Sequence, residues 1–197
     1  SKALVRLAEL GIVSKNGSFY NMADAMLEFW LKFVYPRRKE LLIGGTFDKA
    51  PLFRNDITSY INDFSKECDK DAVIRIVELF NLFSDDLVQV YSRQMRLPHF
   101  TKVESRVFSG SPPFIIASFK GQTWMVQPFE KYVNENDIVY FMRSSKALSN
   151  KISNKIVIPL AGIDENAKLL AKELKISIWD ISLINALMKI YGRKELV

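Results

Sequence analysis

Apolar residues near the start of the chain recur at intervals of three, which predicts a short amphipathic helix. This stripe consists of Leu4, Leu7 and Leu10. Gly11 follows it, at a position suited to the left-handed residue that ends many helices. Short apolar runs at 12–13 and 19–20 then flank Asn16-Gly17. Because Asn-Gly between apolar runs is a strong hairpin signal, a two-stranded hairpin is expected after the helix.

Three further helical patterns precede the middle of the chain. They are a stripe of Met22, Met26, Trp30 and Phe33, a face of Ile57, Tyr60, Ile61 and Phe64, and a run through Val73, Ile76, Val77, Phe80 and Phe83. Asn21 is expected to cap the first of these helices, and Pro36 to end it with Tyr35 already extended. Gly44-Gly45 is the best candidate for a domain boundary. Asp85 is expected to cap one more helix, which reaches about Met95.

After Pro98 the pattern becomes typical of strands. Strands are predicted at 101–108, 114–119, 122–129, 155–162 and 176–179, with helices at 164–174 and 180–191. Residues 137–142 fit a strand or a buried helix. The strand–helix–strand order near the end predicts parallel pairing through a right-handed crossover. The expected fold class is therefore α/β with a small mixed sheet, divided into 1–45, a helical connector 46–70, and 71–197.

Composition adds limits to this picture. The chain has 197 residues, with 28 basic and 22 acidic side chains and a formal net charge of +6. This charge permits nucleic acid as a partner. Cys68 is the single cysteine, which favours a reducing cytoplasm, and no apolar run has the length of a membrane span. His99 is expected to be structural, and the pairs Asp85-Asp86 and Asp164-Glu165 to lie at helix starts.

The front helix and hairpin resemble the second half of a winged helix. Because the upstream helices of that motif are missing, we expect the chain to be part of a longer protein. In a DNA-bound winged helix, this helix enters the major groove and the hairpin touches the backbone. The candidate DNA contacts are therefore Lys2, Arg6, Lys15 and Asn16. The alternative is that the helix and hairpin only pack domains together.

A second basic candidate is the segment 143–155, which reads RSSKALSNKISNK and contains no acid. Its cations are Arg143, Lys146, Lys151 and Lys155. One interpretation is a loop that contacts phosphates, in which serines and asparagines add neutral hydrogen-bond donors. The alternative is an ordinary solvated loop.

Two stretches together resemble one family, the C-terminal region of archaeal AAA+/STAND-type ATPases. The stretches are LAELGIVSKNGSFYNMADAMLEFWLKFVYP and KIVIPLAGIDENAKLLAKELKISIWDISLINALMKIYG. In that family a winged helix follows the ATPase core, and a PD-(D/E)XK restriction-endonuclease-like domain closes the chain. The resemblance implies such a domain over 71–197. No GxxxxGK[ST] phosphate loop occurs, so ATPase activity is not expected of this chain.

The resemblance also implies where a nuclease site would lie, and there the sequence departs from the pattern. Such nucleases hold Mg²⁺ with an Asp on one hairpin strand and a Glu on the next, and a Lys follows the Glu by two residues. The first strand, 114–119, contains no acid, and the E-x-K position reads Gln127-Pro128-Phe129. Glu130 and Lys131 lie just beyond as a shifted remnant. We therefore expect neither a metal site nor a cofactor.

Three functions remain open from the sequence. The leading one is a non-catalytic nucleic-acid-binding or assembly module, with double-stranded DNA and the ATPase domain of a parent protein as expected partners. The second is a Mg²⁺-dependent DNA nuclease with a displaced site, in which Glu130 and Lys131 act with an acid such as Glu78 or Glu104. The third is a protein–protein interaction or sensor domain.

Overall fold

The computed structural model describes residues 2–36, 38–39, 50–107, 112–148 and 152–196. Clustering of its contacts divides the chain into two compact units, Ser1–Asp69 and Lys70–Val197. The division falls one residue before the predicted start of the last domain at Asp71. The boundary predicted at Gly44-Gly45 lies outside the described residues.

The first unit combines short helices with one hairpin. Its elements are α1 (Lys2–Glu9), β1 (Val13–Asn16), β2 (Phe19–Met22), α2 (Ala25–Phe29), a π-helical segment (Trp30–Val34) and α3 (Ala50–Cys68). Val13 is the one buried hydrophobic residue of this unit among those described. Most of its apolar side chains are therefore half-buried or exposed.

The end of α1 confirms the predicted role of Gly11. Gly11 has a φ of +70°, and its N–H donates to the carbonyl of Ala8 at 3.0 Å. The next N–H, from Ile12, donates to the carbonyl of Leu7 at 3.0 Å. These two bonds form a Schellman motif, which satisfies the last carbonyls of the helix and turns the chain into β1.

The predicted hairpin forms between β1 and β2, which pair in antiparallel fashion from Val13↔Met22 to Asn16↔Phe19. Its two-residue loop is Gly17-Ser18, one residue further along than the predicted turn. Gly17 takes the left-handed conformation with a φ of +60°. Glycine reaches this conformation without a steric penalty, which is why the loop is centred there.

Three predictions for the next helix are wrong, and the first is its end at Pro36, since 35–36 and 38–39 are helical. Asn21 is not its cap, because Asn21 pairs with Ser14 inside the hairpin. Asp24 caps α2 instead, and its Oδ1 accepts from the N–H groups of Met26 at 2.7 Å and Leu27 at 3.1 Å. Tyr35 is helical (φ −60°, ψ −47°) rather than extended, and its N–H bonds to the carbonyl of Trp30. The π turn therefore overrides the local preference that proline imposes on the residue before it.

The second unit is a mixed α/β domain. Its helices are α4 (Ala72–Asn81), α5 (Glu135–Leu148), α6 (Glu165–Glu173) and α7 (Ile181–Ile190). Its strands are β3 (Asp86–Val90), β4 (Arg93–Leu97), β5 (Lys102–Arg106), β6 (Phe114–Phe119), β7 (Gln122–Phe129), β8 (Ile152–Pro159) and β9 (Ser177–Ile178). Strands β5 to β9 form one sheet in sequence order, and β3 and β4 form a separate hairpin.

Pairing within the five-stranded sheet agrees with the predicted order. Strands β5, β6 and β7 form an antiparallel meander, while β7–β8 and β8–β9 are parallel. The crossover helices α5 and α6 make the parallel pairing possible. The α/β class is therefore confirmed, and 137–142 belong to helix α5.

The helix predicted from Asp85 to Met95 is instead the β3–β4 hairpin. Asp85 and Tyr91 have φ values of +64° and +55°, which an α-helix does not accommodate. Within β3, Val88 and Val90 are buried while Leu87 and Gln89 are exposed. This alternation has the two-residue period of a strand, so the prediction assigned the wrong period to the segment.

Apolar side chains cover both faces of the sheet. On one face they pack with α5 and α6, in a cluster of Phe114, Met125, Phe129, Val133, Ile138, Phe141, Val157, Ile163, Ala167, Ala171 and Ile176. A second cluster is mostly aromatic and joins Phe80, Phe83, Phe100, Phe119, Trp124, Trp179 and Tyr191 through ring contacts of 5.0–6.2 Å. Two filled clusters of this kind hold the sheet rigidly and so position the loops at its edges.

Candidate functional site

A pocket of about 430 Å³ lies where β7 ends. Its lining includes Pro128, Phe129, Glu130 and Lys131 from β7 and the residues after it, Pro112 and Pro113 from the segment before β6, and Asp71 and Val73 from the start of α4. The sequence pointed to Glu130 and Lys131 here. It missed Asp71, although an Asp directly before an apolar helix is a recognisable cap signal.

Gln127 is the residue at which the sequence analysis expected the glutamate of a nuclease site. The residue is 1% exposed. Its side-chain Nε2 donates to the carbonyl oxygens of Pro112 at 3.2 Å and Pro113 at 3.0 Å. An amide can donate these bonds, whereas an ionised carboxylate cannot. The side chain therefore ties β7 to the segment that leads into β6.

Apolar rings lie beside Gln127 on both β6 and β7. Ile115 pairs with Val126, so Phe114 is the β6 residue next to Gln127 in the ladder. Phe114 is 2% and Phe129 3% exposed, and both belong to the cluster under α5 and α6. Both rings beside Gln127 are thus part of the hydrophobic core.

Two charged residues of the pocket, Lys131 and Asp71, already have structural partners. Lys131 Nζ lies 2.7 Å from Asp137 Oδ1. Asp71 caps α4, and its Oδ1 accepts from the N–H of Val73 at 2.7 Å. Glu130 is exposed. No three histidine, cysteine, aspartate or glutamate side chains within the described ranges lie close enough together to hold a metal ion.

The two acids suggested for a displaced site are both in ion pairs. Glu78 Oε1 accepts from Lys70 Nζ at 2.7 Å. Glu104, on β5, bonds to Lys102 at 2.7 Å and also to Arg106. These hydrogen bonds hold the pKa of Glu104 below its ordinary value. Neither Glu78 nor Glu104 is among the described residues that line the pocket.

The front of the first unit presents a basic surface, which we call the helix–wing surface and define by Lys2, Arg6, Lys15 and Asn16. Lys2 and Arg6 are exposed and lie four residues apart on α1, so they share one face. Lys15 is exposed on β1, where its Nζ lies 5.9 Å from the ring centroid of Tyr20 on β2. Asn16 is half-buried at the end of β1. Helix α1 contacts β1 directly.

The second basic candidate is not one loop. Arg143 and Lys146 are exposed residues of α5, one helical turn apart. Lys155 is half-buried in β8, where it pairs with Met125 of β7. Lys151 lies outside the described residues. The loop prediction is wrong for Arg143 and Lys146 because α5 continues to Leu148, and it is wrong for Lys155 because β8 begins at Ile152.

The remaining polar candidates have structural partners. The prediction of a helix start is correct for Asp164, which caps α6, and wrong for Asp85 and Asp86. Asp85 bonds to Arg96 through two hydrogen bonds of 2.6 and 2.8 Å, which hold the pKa of Asp85 below its ordinary value. His99 Nδ1 lies 3.0 Å from the carbonyl oxygen of Phe83.

Comparison of the chain with protein-family models, curated proteins and solved structures gives no match. Within the described residues, no helix combines the length and the apolar character that crossing a membrane requires. The function of the chain is therefore inferred from the geometry of each of its two units.

Proposed function

We propose that this chain is a non-catalytic nucleic-acid-binding module that contacts duplex DNA through the helix–wing surface. The observation that carries the proposal is the arrangement of α1 directly before a two-stranded hairpin, with exposed cations on both. Lys2 and Arg6 supply charge from the helix, and Lys15 supplies it from the hairpin. In a winged helix bound to DNA, these two elements meet the major groove and the adjacent backbone.

The charges on this surface suit phosphate contacts. Within the described residues, Lys2, Arg6 and Lys15 form no ion pair with a carboxylate, so their full charge faces solvent. Lys and Arg that neutralise phosphates release condensed counterions, which supplies most of non-specific DNA affinity. Glu9 lies on the same helix and reduces this charge, so we expect affinity to be moderate.

The nuclease-like position supports the non-catalytic part of the proposal. Gln127 is held by two backbone carbonyls, and Phe114 and Phe129 are packed in the core. In the pattern that the resemblance implies, Mg²⁺-dependent cleavage needs hard oxygen ligands on both strands and a lysine at position 129. The displaced pair Glu130 and Lys131 remains the alternative site, and Glu130→Ala tests it through any cleavage that requires Mg²⁺.

The second unit offers a further phosphate-contacting surface in this proposal. Arg143 and Lys146 lie on the solvent side of α5, and within the described residues neither is paired with a carboxylate. We also propose that the module belongs to the C-terminal region of an archaeal AAA+/STAND-type ATPase. The order of α4, the β5–β7 meander, α5 and β8 supports this assignment, with the β3–β4 hairpin as an insertion.

Protein–protein interaction is the second candidate function. It is favoured by apolar side chains that the first unit leaves in solvent, of which Met26 is 74% and Leu31 42% exposed. An apolar set of this kind on a soluble domain commonly marks an interaction surface. Here the expected partner is the ATPase domain of a parent protein.

Charge reversal tests the leading proposal. The triple variant Lys2→Glu, Arg6→Glu, Lys15→Glu should weaken binding of a fluorescein-labelled DNA duplex at least ~10-fold in an anisotropy titration. The matched control carries Lys66→Glu, Lys172→Glu and Lys189→Glu, three exposed cations elsewhere with the same change in net charge. Equal weakening in both variants would contradict the helix–wing surface as the contact.

A pair of variants in α5 tests the further surface separately. Arg143→Glu with Lys146→Glu should reduce the affinity of the same duplex by a smaller factor than the helix–wing triple variant. Unchanged affinity would remove α5 from the proposal and leave the helix–wing surface as the contact.

A further inference from the structure

Two sheet edges of the second unit line one cleft. Strand β4 is an outer strand of the β3–β4 hairpin, and β9 is the last strand of the five-stranded sheet. A pocket of about 440 Å³ opens between them. Its lining consists of Arg93, Gln94 and Met95 from β4, Ser177, Ile178 and Trp179 from β9 and its end, and Leu183 from α7. We call this pocket the β4–β9 cleft.

The lining pattern shows that strand edges, rather than sheet faces, border the cleft. Side chains of successive strand residues point to opposite faces, so a pocket on a face is lined by every second residue. Here three consecutive residues line the cleft on each side, 93–95 and 177–179. Backbone groups of β4 and β9 are therefore accessible from the cleft.

The hydrogen bonds of β9 support this orientation. The N–H of Trp179 donates inward to the carbonyl of Val157 on β8, at 3.0 Å. Backbone groups alternate between the two edges of a strand. The N–H and C=O of Ile178 therefore point away from β8, toward the cleft. Within the described part of the chain, no strand pairs with this edge of β9.

The charge of the cleft indicates what it binds. Arg93 is exposed, and within the described residues it has no ion-pair partner. By contrast, Arg96 on the same strand is held by Asp85 at 2.6 Å. No carboxylate is among the described lining residues. The cleft thus combines strand edges with an uncompensated guanidinium, which favours an acidic ligand.

We propose that the β4–β9 cleft binds an extended peptide segment of a protein partner, which adds as a strand to the edge of β9 and places an acidic side chain against Arg93. In such strand addition, main-chain hydrogen bonds supply affinity and side-chain pockets supply specificity. The cleft volume lies within the ordinary range of ligand pockets. The binding site is separate from the helix–wing surface and does not depend on DNA binding.

Selection from a displayed library of random decapeptides on the immobilised full chain tests this proposal. Synthetic copies of the selected peptides are then titrated by fluorescence anisotropy. We expect them to share an acidic residue flanked by β-branched or aromatic residues. Arg93→Glu should weaken their binding at least ~10-fold, since it places like charges together. The control Lys172→Glu, an exposed cation outside the cleft, should leave binding unchanged.

N-methylation of the peptide tests the strand geometry without altering the protein. If the peptide adds as a strand, methylation of every second amide should abolish binding, while methylation of the amides between them is tolerated. Equal tolerance at all amides would overturn strand addition. A selection that yields no peptide sensitive to Arg93→Glu would overturn the cleft as the binding site.

Discussion

The side-chain nitrogen of Gln127 lies 3.0 Å from the carbonyl oxygen of Pro113. This hydrogen bond joins the end of the β6–β7 ladder to the segment that enters β6, and it is buried beside Phe114 and Phe129. Gln127, which the resemblance sets at the metal-ligand position of a nuclease, therefore has a structural role here. That role makes the residue a sensitive test of the proposed loss of catalysis.

Replacing Gln127 with Glu should destabilise the fold and should not create a nuclease. A buried carboxylate facing two carbonyl oxygens has no donor, so we expect a loss of about 3 kcal/mol in the free energy of unfolding at pH 7. Burial raises the pKa of such a glutamate, so the loss should grow as pH rises above about 5 and shrink below it. Urea denaturation at several pH values measures this change in the free energy of unfolding.

The near-isosteric Gln127→Met variant is the control. It also removes the hydrogen bonds but carries no charge, so its cost should be about 1–2 kcal/mol and independent of pH. Mg²⁺-dependent DNA cleavage by Gln127→Glu would contradict the structural role, because Phe114 and Phe129 would then have to tolerate a metal site.

The contact between Tyr191 and Asp86 predicts a change in the free energy of unfolding at alkaline pH. Tyr191 Oη donates to Asp86 Oδ2 at 2.6 Å. Burial, and then this bond to Asp86, raise the pKa of Tyr191 above its ordinary value of 10.0. A tyrosine whose pKa is higher in the folded than in the unfolded state stabilises the fold fully at pH values below the unfolded-state pKa. This contribution is lost as pH rises through the folded-state pKa.

We therefore expect Tyr191→Phe to destabilise the protein at pH 8, by about 1 kcal/mol because the ring is half exposed. The difference from the original protein should narrow above about pH 10, where the unfolded tyrosine ionises. Urea denaturation at pH 8 and pH 11 measures both values. Tyr140→Phe, at an exposed tyrosine of α5, is the control and should show no such pH dependence. A difference that stays constant or widens with pH would reject this account of Tyr191.

Asp164 should contribute more to the free energy of unfolding than its neighbour Glu165. Its Oδ2 accepts from the N–H of Asn166 at 2.9 Å and caps α6. Asp164→Ala should cost about 1 kcal/mol in thermal or urea denaturation. Glu165→Ala, at a side chain that is 83% exposed, should leave stability nearly unchanged. Equal costs for the two variants would mean that charge near the helix start, rather than the cap, is responsible.

Sequence patterns predicted the elements whose signals are local. Gly11 marks a helix end through its backbone conformation, Asp164 marks a helix start through its side-chain cap, and both predictions are confirmed. The β6–β7 hairpin and the parallel pairing of β8 and β9 follow from apolar runs and short connections. These features depend on neighbours in the sequence, so a single sequence contains the necessary information.

The sequence predictions were wrong where distant contacts or backbone conformation determine the secondary structure. Positive φ at Asp85 begins a hairpin in a segment whose apolar spacing also fits a helix. The two segments 137–142 and 143–148 form one helix because α5 packs over the sheet, and no local signal in the sequence specifies that packing. The pocket joins Asp71 with Glu130, which are far apart in sequence and meet only through the fold.

The salt dependence of DNA binding tests the central proposal most directly. A labelled duplex is titrated with the full chain at 50 and 200 mM salt in the presence of Mg²⁺, and the same samples are then run on a denaturing gel. Three phosphate contacts from Lys2, Arg6 and Lys15 predict binding about 40-fold weaker at the higher salt, with the DNA intact. Cleaved DNA would contradict the non-catalytic proposal, and the absence of binding at both salt concentrations would contradict nucleic-acid binding itself.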